Sequence, residues 1–513
     1  MSQQDYKINL QDTDFTMLSD QQSRTVIGGS AREATSSEGV TENRPGIAYC
    51  HNVMPTKYGM KSIGFKEAVP AIVGLADEVN DIKTMYGDQG TRVELTWDEN
   101  GNTYALVHNT TAWIAIPTPT PDHTGATFIN AKVTIATVNG IGYLFYQGLA
   151  CYTYNESTNE LEEATLTGLG IATITGITAY AGYLVAFTRK AIAWSSTIDP
   201  TDFTPSAVTG AGGGKIDAID GLILIVIPNS LGIVIYSRNN AVAGTYTGNI
   251  QYPFKFREIE SSRGGSVLNR VSYEDNSRVQ YTFDDAGLQS IDSQRATNIL
   301  PAVSDFLTGR KIETYNTTTD VFDVNEIPEP YNIRKKIKFI SARYLVISYG
   351  DSRVSDQSHA LIYDITLKKV GKVLISHRDS FEYVWPGTTG DQAKHSIAFL
   401  LSDGSIETVD FDDDHVSDGV LILGKLQYTR TRMMTLLAAE VENVESGASF
   451  LLSDRLSLDG KVVSSTVSGY EAHNVDDLRV YNFHLTGKNH SLLLEGKFHA
   501  TSVQISYTLN GRR

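Results

Sequence analysis

Asn100-Gly101-Asn102-Thr103-Tyr104-Ala105-Leu106-Val107, Asn139-Gly140-Ile141-Gly142-Tyr143-Leu144-Phe145, Ala181-Gly182-Tyr183-Leu184-Val185-Ala186-Phe187 and Asp220-Gly221-Leu222-Ile223-Leu224-Ile225-Val226 share one build, a glycine turn running into apolar and aromatic residues. From Gly101 through Gly142 and Gly182 to Gly221 the steps are 41, 40 and 39 residues, the length of a four-stranded propeller blade. A glycine ahead of an apolar run permits a tight turn with φ > 0, and β-branched and aromatic residues suit a half-buried pleated surface. The spacing predicts an all-β fold, a β-propeller whose repeating element is a turn feeding an inner strand.

Outward from these stretches the same grammar continues. Tyr143 to Tyr146 with Cys151 to Tyr154, Leu184 to Phe187 with Ile192 to Trp194, and Leu222 to Ile227 with Ile233 to Tyr236 read as hairpins. The pattern returns at Tyr344 to Ser348 with Ala360 to Asp364, and at Ile397 to Leu401, which turns at Ser402-Asp403-Gly404 into Ile406 to Val409. Five to seven blades are expected. Residues 1–45 are polar and read as an extended arm. Residues 46–430 form the propeller, with an irregular insertion at about 251–331 where the period lapses and Asn298 to Leu307 shows a brief helical spacing. Residues 431–513, with longer strands at Leu436 to Val444, Phe450 to Asp454, Leu478 to Leu485, Ser491 to Phe498 and Ser502 to Leu509, read as a C-terminal antiparallel β-sandwich.

Composition narrows the class. With 41% hydrophobic and 20% charged residues, 43 glycines and 26 tyrosines, the 513-residue chain is an ordinary globular protein rich in turns and strands. Its 43 basic against 59 acidic residues give a net charge of −16, which argues against gripping nucleic-acid phosphates and suits a wall that lets a polyanion pass. Cys50 and Cys151 make neither a disulfide framework nor a zinc site. The opening residues lack a basic and then apolar leader, and the longest apolar run, Leu222 to Ile227, is too short to cross a bilayer. Neither a secretory signal nor a membrane span is expected.

Thr209-Gly210-Ala211-Gly212-Gly213-Gly214-Lys215 resembles a phosphate loop, but Thr209 stands where its first glycine belongs and Ile216 where a Ser or Thr would reach magnesium, so a mobile loop is expected. Asp410-Phe411-Asp412-Asp413-Asp414-His415-Val416-Ser417-Asp418-Gly419 spaces carboxylates like the first half of a calcium loop, yet His415 replaces the bend glycine, which favours a solvated acidic turn over a looser cation site. Asn109-Thr110-Thr111, Asn155-Glu156-Ser157 and Asn316-Thr317-Thr318 match the glycan acceptor pattern and read as polar turns. Tyr104, Tyr143, Tyr183, Trp113 and Trp194 read as inter-sheet core before they read as a sugar-binding face. The eleven histidines form no H-x-H or H-E-x-x-H, and no G-x-S-x-G is present. No catalytic, cofactor or metal residues are assigned, and no enzyme is expected, although a carboxylate pair assembled from distant blades leaves no trace in one sequence.

Three local signatures resemble the tail nozzle, or tail hub and stabilisation, proteins of short-tailed bacteriophages. Asn43-Arg44-Pro45-Gly46-Ile47-Ala48-Tyr49-Cys50-His51-Asn52-Val53-Met54-Pro55-Thr56-Lys57-Tyr58-Gly59-Met60-Lys61-Ser62-Ile63-Gly64-Phe65 is similar to the family's opening segment. Ile192-Ala193-Trp194-Ser195-Ser196-Thr197-Ile198-Asp199-Pro200-Thr201-Asp202-Phe203 is similar to its Trp-Ser followed by Asp-Pro-Thr-Asp-aromatic, and Leu451 to Gly460 with Leu492 to Phe498 resemble its closing sandwich.

The resemblance implies a virion structural protein made late and assembled in the host cytoplasm. It would be a homo-hexamer that continues the channel of portal and adaptor (head-to-tail connector) protein, gates its distal end and releases double-stranded DNA during ejection. Tail fibre or tail needle proteins are further partners that such a part would meet. The arm of residues 1–45 would suit capture by the adaptor or a neighbouring subunit. Two other classes stand beside this one: a receptor-binding or glycan-cleaving propeller tail protein, and a cellular propeller scaffold.

Overall fold

The computed structural model describes residues 3–10, 14–15, 24–26, 46–98, 100–117, 133–148, 150–171, 173–262, 264, 271–273, 279–284, 287–292, 294–299, 312–316, 321–325, 333–340, 343–351, 355–387, 393–411, 419–423, 425–427, 434–443, 449–458, 461–468, 470–475, 478–487 and 489–509. Among these residues every regular element is a β-strand.

Among the described residues seven four-stranded antiparallel blades follow one another, six of them separate sheets and blade six part of a larger sheet that runs on into the sandwich. Blade one is Val79–Tyr86, Arg92–Asp98, Thr103–Val107 and Ile114–Ile116; blade two is Val133–Val138, Ile141–Tyr146, Cys151–Asn155 and Glu160–Glu163. Blade three is Gly176–Tyr180, Tyr183–Phe187, Ala191–Trp194 and Gly212–Lys215; blade four is Ile225–Asn229, Gly232–Tyr236, Ala241–Tyr246 and Phe254–Glu258. Blade five is Val271–Tyr273, Gln280–Asp284, Gly287–Ile291 and Ala296–Asn298; blade six is Ile333–Ile340, Tyr344–Asp351, Gln357–Asp364 and Lys369–His377. Blade seven takes Asp379–Val384, His395–Leu400 and Ile406–Asp410 from late in the chain and its outermost strand, Gly64–Val69, from early in it. The first strand of each blade packs on the first strand of the next, and blade seven returns to blade one, so the ring closes. Gly64–Val69 is thus the latch, with Phe65 edge-on to Phe399 at 6.0 Å and Val69 fully buried.

Strand alternation explains the packing between blades. In blade seven Ile397 and Phe399 face blade six with Val346 and Ile362, while Ala398 and Leu400 face blade one with Ile82 and Leu106. A blade has two apolar faces and no stability alone; only its neighbours cover both.

The sandwich is built from both ends of the chain. In one sheet Met434–Asn443 lies between Leu478–Gly487 and His499–Leu509, Tyr470–Val475 extends it, and Gln4–Asn9 pairs along His499–Leu509. In the other, Asn489–Lys497 is flanked by Ser449–Leu458 and by Gly419–Leu423, on which Gly46–His51 is laid. Leu421, Leu452, Leu492 and Leu494 from the second sheet meet Leu436, Val441, Tyr481 and Ile505 from the first. The same core runs without a break into Leu345, Ile347 and Leu361 of blade six and Tyr281 and Leu288 of blade five.

The chain differs from the sequence expectation in several places. The arm is a structural part: residues 4–9 pair with residues 502–507, Asp14–Phe15 lies parallel to Gly46–His51, and Arg24–Val26 lies parallel to Lys425–Gln427. Its polarity hid this, because edge strands of a sandwich show one face to water. The segment 46–51 and strand Gly419–Leu423 belong to the sandwich rather than to the propeller. The expected insertion at about 251–331 contains the last strand of blade four and all of blade five; among its described strands the hairpin Ile312–Asn316 with Val321–Asn325 stands outside a blade. Blade five was missed because its strands of three to five residues are polar. Of the helical spacing at Asn298 to Leu307, all but Asn298 and Ile299 lies outside the described residues.

The four glycines that set the period are not equivalent. Gly101 (φ 87°) turns between the second and third strands of blade one, Gly182 (φ 83°) between the first and second of blade three, and Gly221 (φ 98°) precedes blade four. Gly142 lies inside a strand, the turn before it being made by Asn139 (φ 52°) and Gly140 (φ 85°). The innermost strands begin at Val79, Val133, Gly176, Ile225, Val271, Ile333 and Asp379, an uneven repeat of 43 to 62 residues.

Candidate functional site

The innermost strands of blades one to four, six and seven enclose a channel of about 860 Å3. Its wall carries small and hydroxylated residues, Thr84, Thr134, Thr137 and Thr178 among them, together with Lys83 and Lys338. Where blade seven meets blades one and six the charges are paired. Asp379, 1% exposed, receives the Lys338 ammonium at 3.2 Å and the Ile82 N–H at 3.4 Å. Arg92 donates to Glu94 at 2.7 Å and to the Glu382 carbonyl at 2.5 Å, and Thr84 donates to the same Glu94 carboxylate at 2.5 Å. Burial alone would depress both cations. The carboxylates outweigh it, Asp379, Asp81 and Glu94 for Lys338 and Glu94 and Glu382 for Arg92, and hold both pKa values above the ordinary range.

In an antiparallel meander the first and third turns of every blade share one face of the ring. That face presents the third turns of blades three and four, where Ile198, Val208 and Tyr252 are 77%, 82% and 71% exposed. The two turns touch, since a Cβ at Gly210 would lie 3.0 Å from the Ile250 carbonyl oxygen. The opposite face shows Val73, 98% exposed, in the connection from the latch to blade one.

The residues singled out from sequence take structural places. Gly212–Lys215, within the presumed mobile loop, is the outermost strand of blade three, where Gly213 packs so close to Ile192 and Ala193 that a Cβ would sit 2.5 Å from a carbonyl oxygen. The loop reading is corrected, since a side-chain-free strand allows that approach. Of the acidic run, Asp410 ends a blade-seven strand and is buried, and residues 412–418 lie outside the described residues. Asn155 accepts from the N–H groups of Ser157 and Thr158, and Asn109 turns with φ 69°, as polar turn residues do; the side chain of Asn316 lies outside the described residues. Tyr104, Tyr143 and Tyr183 are buried between sheets, while Trp113 and Trp194 donate to the carbonyls of Gly404 and Gly210.

The resemblance segments form joints. Ser195 accepts from Leu184 N–H, Ser196 N–H donates to the Asp202 carbonyl, and Phe203 is 1% exposed, which fixes the blade-three turn. Residues 46–69 cross between the two bodies: Gly46–His51 in the sandwich, Val53–Pro55 against blade six, Met60–Ser62 back against the sandwich, Gly64–Val69 as latch.

Sequence reasoning missed two clusters. At the seam between blade six and sandwich, Lys372 is 2% exposed and lies beside Cys50, His51 and His359. A lysine between Val370 and Val373 in an apolar strand was its one visible sign. Inside the sandwich His490 and Asp454, both fully buried, meet at 2.5 Å, and the other ring nitrogen of His490 faces the Met434 carbonyl at 3.1 Å. Both ring nitrogens of His490 are thus engaged within the sandwich core. Among the described residues no group of three or more His, Cys, Asp or Glu is placed to hold a metal ion.

No family model and no curated protein matches the chain. Solved structures match at fold level. The extracellular domain of BT4673 from B. thetaiotaomicron aligns over 92% of this chain with a TM-score of 0.43 and 10% identity, and this chain spans 64% of that one. The WD40 β-propeller domain of Doa1 aligns over 69% of this chain and 99% of its own, with a TM-score of 0.39 and 8% identity. YCF48 from Cyanidioschyzon merolae aligns over 67% and 98%, with a TM-score of 0.39 and 13% identity. These likenesses concern the propeller architecture and carry no functional argument.

Proposed function

We propose that this chain is a non-enzymatic structural protein of a short-tailed phage virion, a tail nozzle or hub. Six copies would surround and gate the distal part of the DNA ejection channel beneath the adaptor protein. The observation that carries the reading is the strap of residues 46–69. One of the two segments with the more specific resemblance to nozzle proteins alternates twice between sandwich and propeller and then locks the ring. Such stitching leaves neither body free to swing, which is what a conduit under mechanical stress needs and what an independent binding module does not. The net charge of −16 agrees with a wall that repels passing DNA. Tail fibre or needle proteins would attach through exposed turns such as those of blades three and four.

Electron microscopy of the purified protein and of phage particles tests the proposal. A six-fold ring, placed at the distal end of a tail, is the expected image. A monomer with no place in any particle would refute it.

A further inference from the structure

On the ring face that carries the first and third turns, between blades six and seven, lies a cavity of about 270 Å3, separate from the channel. Three aromatic side chains wall it: Trp385, which follows the first strand of blade seven; Tyr344, which opens the second strand of blade six; and Phe411, 37% exposed, which follows Asp410. The indole is held in place, because Trp385 Nε1 donates to Ser396 Oγ at 2.9 Å. Asp410, 8% exposed, and the hydroxyl residues Ser396 and Thr408 also line the cavity. A cation stands at each aromatic wall. Lys394 and Lys66 lie 5.3 and 5.5 Å from the Trp385 ring centroid, Arg343 lies 5.1 Å from that of Tyr344, and Lys61 lies 5.9 Å from that of Phe411.

We infer that this cavity binds one carboxylate-bearing sugar unit, a hexuronate or a residue of like size. The aromatic walls give the C–H groups of a pyranose an apolar surface to pack on, and a fixed ring loses little entropy on doing so. Asp410 only accepts hydrogen bonds and Ser396 keeps its own O–H to donate, a pair that suits the hydroxyls of a sugar. The rim lysine Lys394, in a chain that is otherwise acidic, is placed to take the carboxylate. Size excludes larger ligands, for sites that hold drug-sized molecules occupy about 300–1,000 Å3. A hexuronate can turn its hydroxyls to the Asp410 carboxylate and keep its own carboxylate at the rim, whereas a phosphate dianion has no uncharged end to place there, which separates the two anion classes.

Saturation-transfer difference NMR on the full-length protein tests the inference, with D-glucuronate as probe and D-glucose and inorganic phosphate as comparators. Transfer to the glucuronate ring protons is expected, with an affinity about tenfold weaker in Asp410→Asn, the scale of one hydrogen bond to a charged group. Lys394→Gln should bring glucuronate down to the level of glucose, and Trp385→Leu should abolish transfer. No transfer in the wild type, unchanged affinity in the three variants, or displacement of glucuronate by an equal concentration of phosphate would each overturn it. Thermal unfolding of every variant accompanies the titrations. Should Trp385→Leu fail to fold, Asp410→Asn and Lys394→Gln, the latter on the exposed rim, decide the outcome alone.

Discussion

Lys372 shows how one residue can shape the pH behaviour of a whole seam. Burial pushes its pKa from 10.5 down to about 8, only partly offset by the neighbouring Cys50. Burial, with the nearby ammonium, also holds His51 down at about 4 and His359 at about 3, the latter ring stacked on Tyr349 at 5.1 Å. For Lys372 the unfolded chain keeps its proton between pH 8 and 10.5 while the folded chain has lost it, so stability rises with pH through that window. The histidines act at the other end, and below pH 6.5 the unfolded chain takes up protons that the fold refuses, so stability falls toward pH 4. Lys372→Met should therefore stabilise the protein at pH 7 by about 3 kcal/mol and flatten the alkaline rise, a difference read from paired urea titrations at pH 7 and pH 10.5. A wild type and variant that track each other across that range would show the ammonium to be solvated. The pair His490 and Asp454 predicts the opposite kind of result. There the two side chains are buried against each other at 2.5 Å, and Asp454→Leu, which leaves a buried ring nitrogen without its partner, should cost about 1–3 kcal/mol in the same titration.

At the scale of elements the strap is tightly constrained. Its turn Thr56 to Gly59 is closed by the Thr56 N–H on the Gly59 carbonyl at 2.8 Å, while Thr56 Oγ1 contacts His499 Nε2 at 2.8 Å. A Cβ on Gly59 would lie 2.1 Å from the Ala500 carbonyl oxygen, and backbone cannot yield as a side chain does. Gly59→Ala is thus expected to cost about 1–3 kcal/mol, visible as a lower melting temperature, whereas Gly90→Ala meets no atom within 4 Å and pays only for its φ of +87°. Elements of this kind were unevenly legible in the sequence. The hairpins of blades two, three, four, six and seven are readable because turns abut long apolar runs, as at Tyr183 to Phe187. Blade five escaped because Gln280, Thr282 and Gln289 occupy buried strand positions and break the apolar signal. The equal glycine steps were a true sign of the architecture reached by a false alignment, since turns of different rank happened to fall about forty residues apart. The sugar-sized cavity was not legible at all, because Tyr344, Trp385 and Phe411 come together only when blades six and seven pack.

For the molecule as a whole, the core that joins sandwich to propeller makes a prediction about autonomy. Residues 431–513 read from sequence as a domain, yet the sheet around Asn489–Lys497 takes Gly419–Leu423 from upstream and, beyond it, Gly46–His51 from the far end of the chain. Leu493 packs on Val420 and Ile422, while Leu492 and Leu494 face the main core, and all three are at most 2% exposed. Cut away from its upstream strands, the sheet would show water an unpaired edge and a row of leucines, the arrangement that invites aggregation. The fragment 431–513 is therefore expected to be unfolded or insoluble by circular dichroism, while the full chain melts in one transition in which the latch Gly64–Val69 and the strand Gly419–Leu423 lose hydrogen-exchange protection together. A soluble fragment with native strand content would show the two bodies to be independent. The strap would then be a tether, and the mechanical reading of this protein would lose its physical basis.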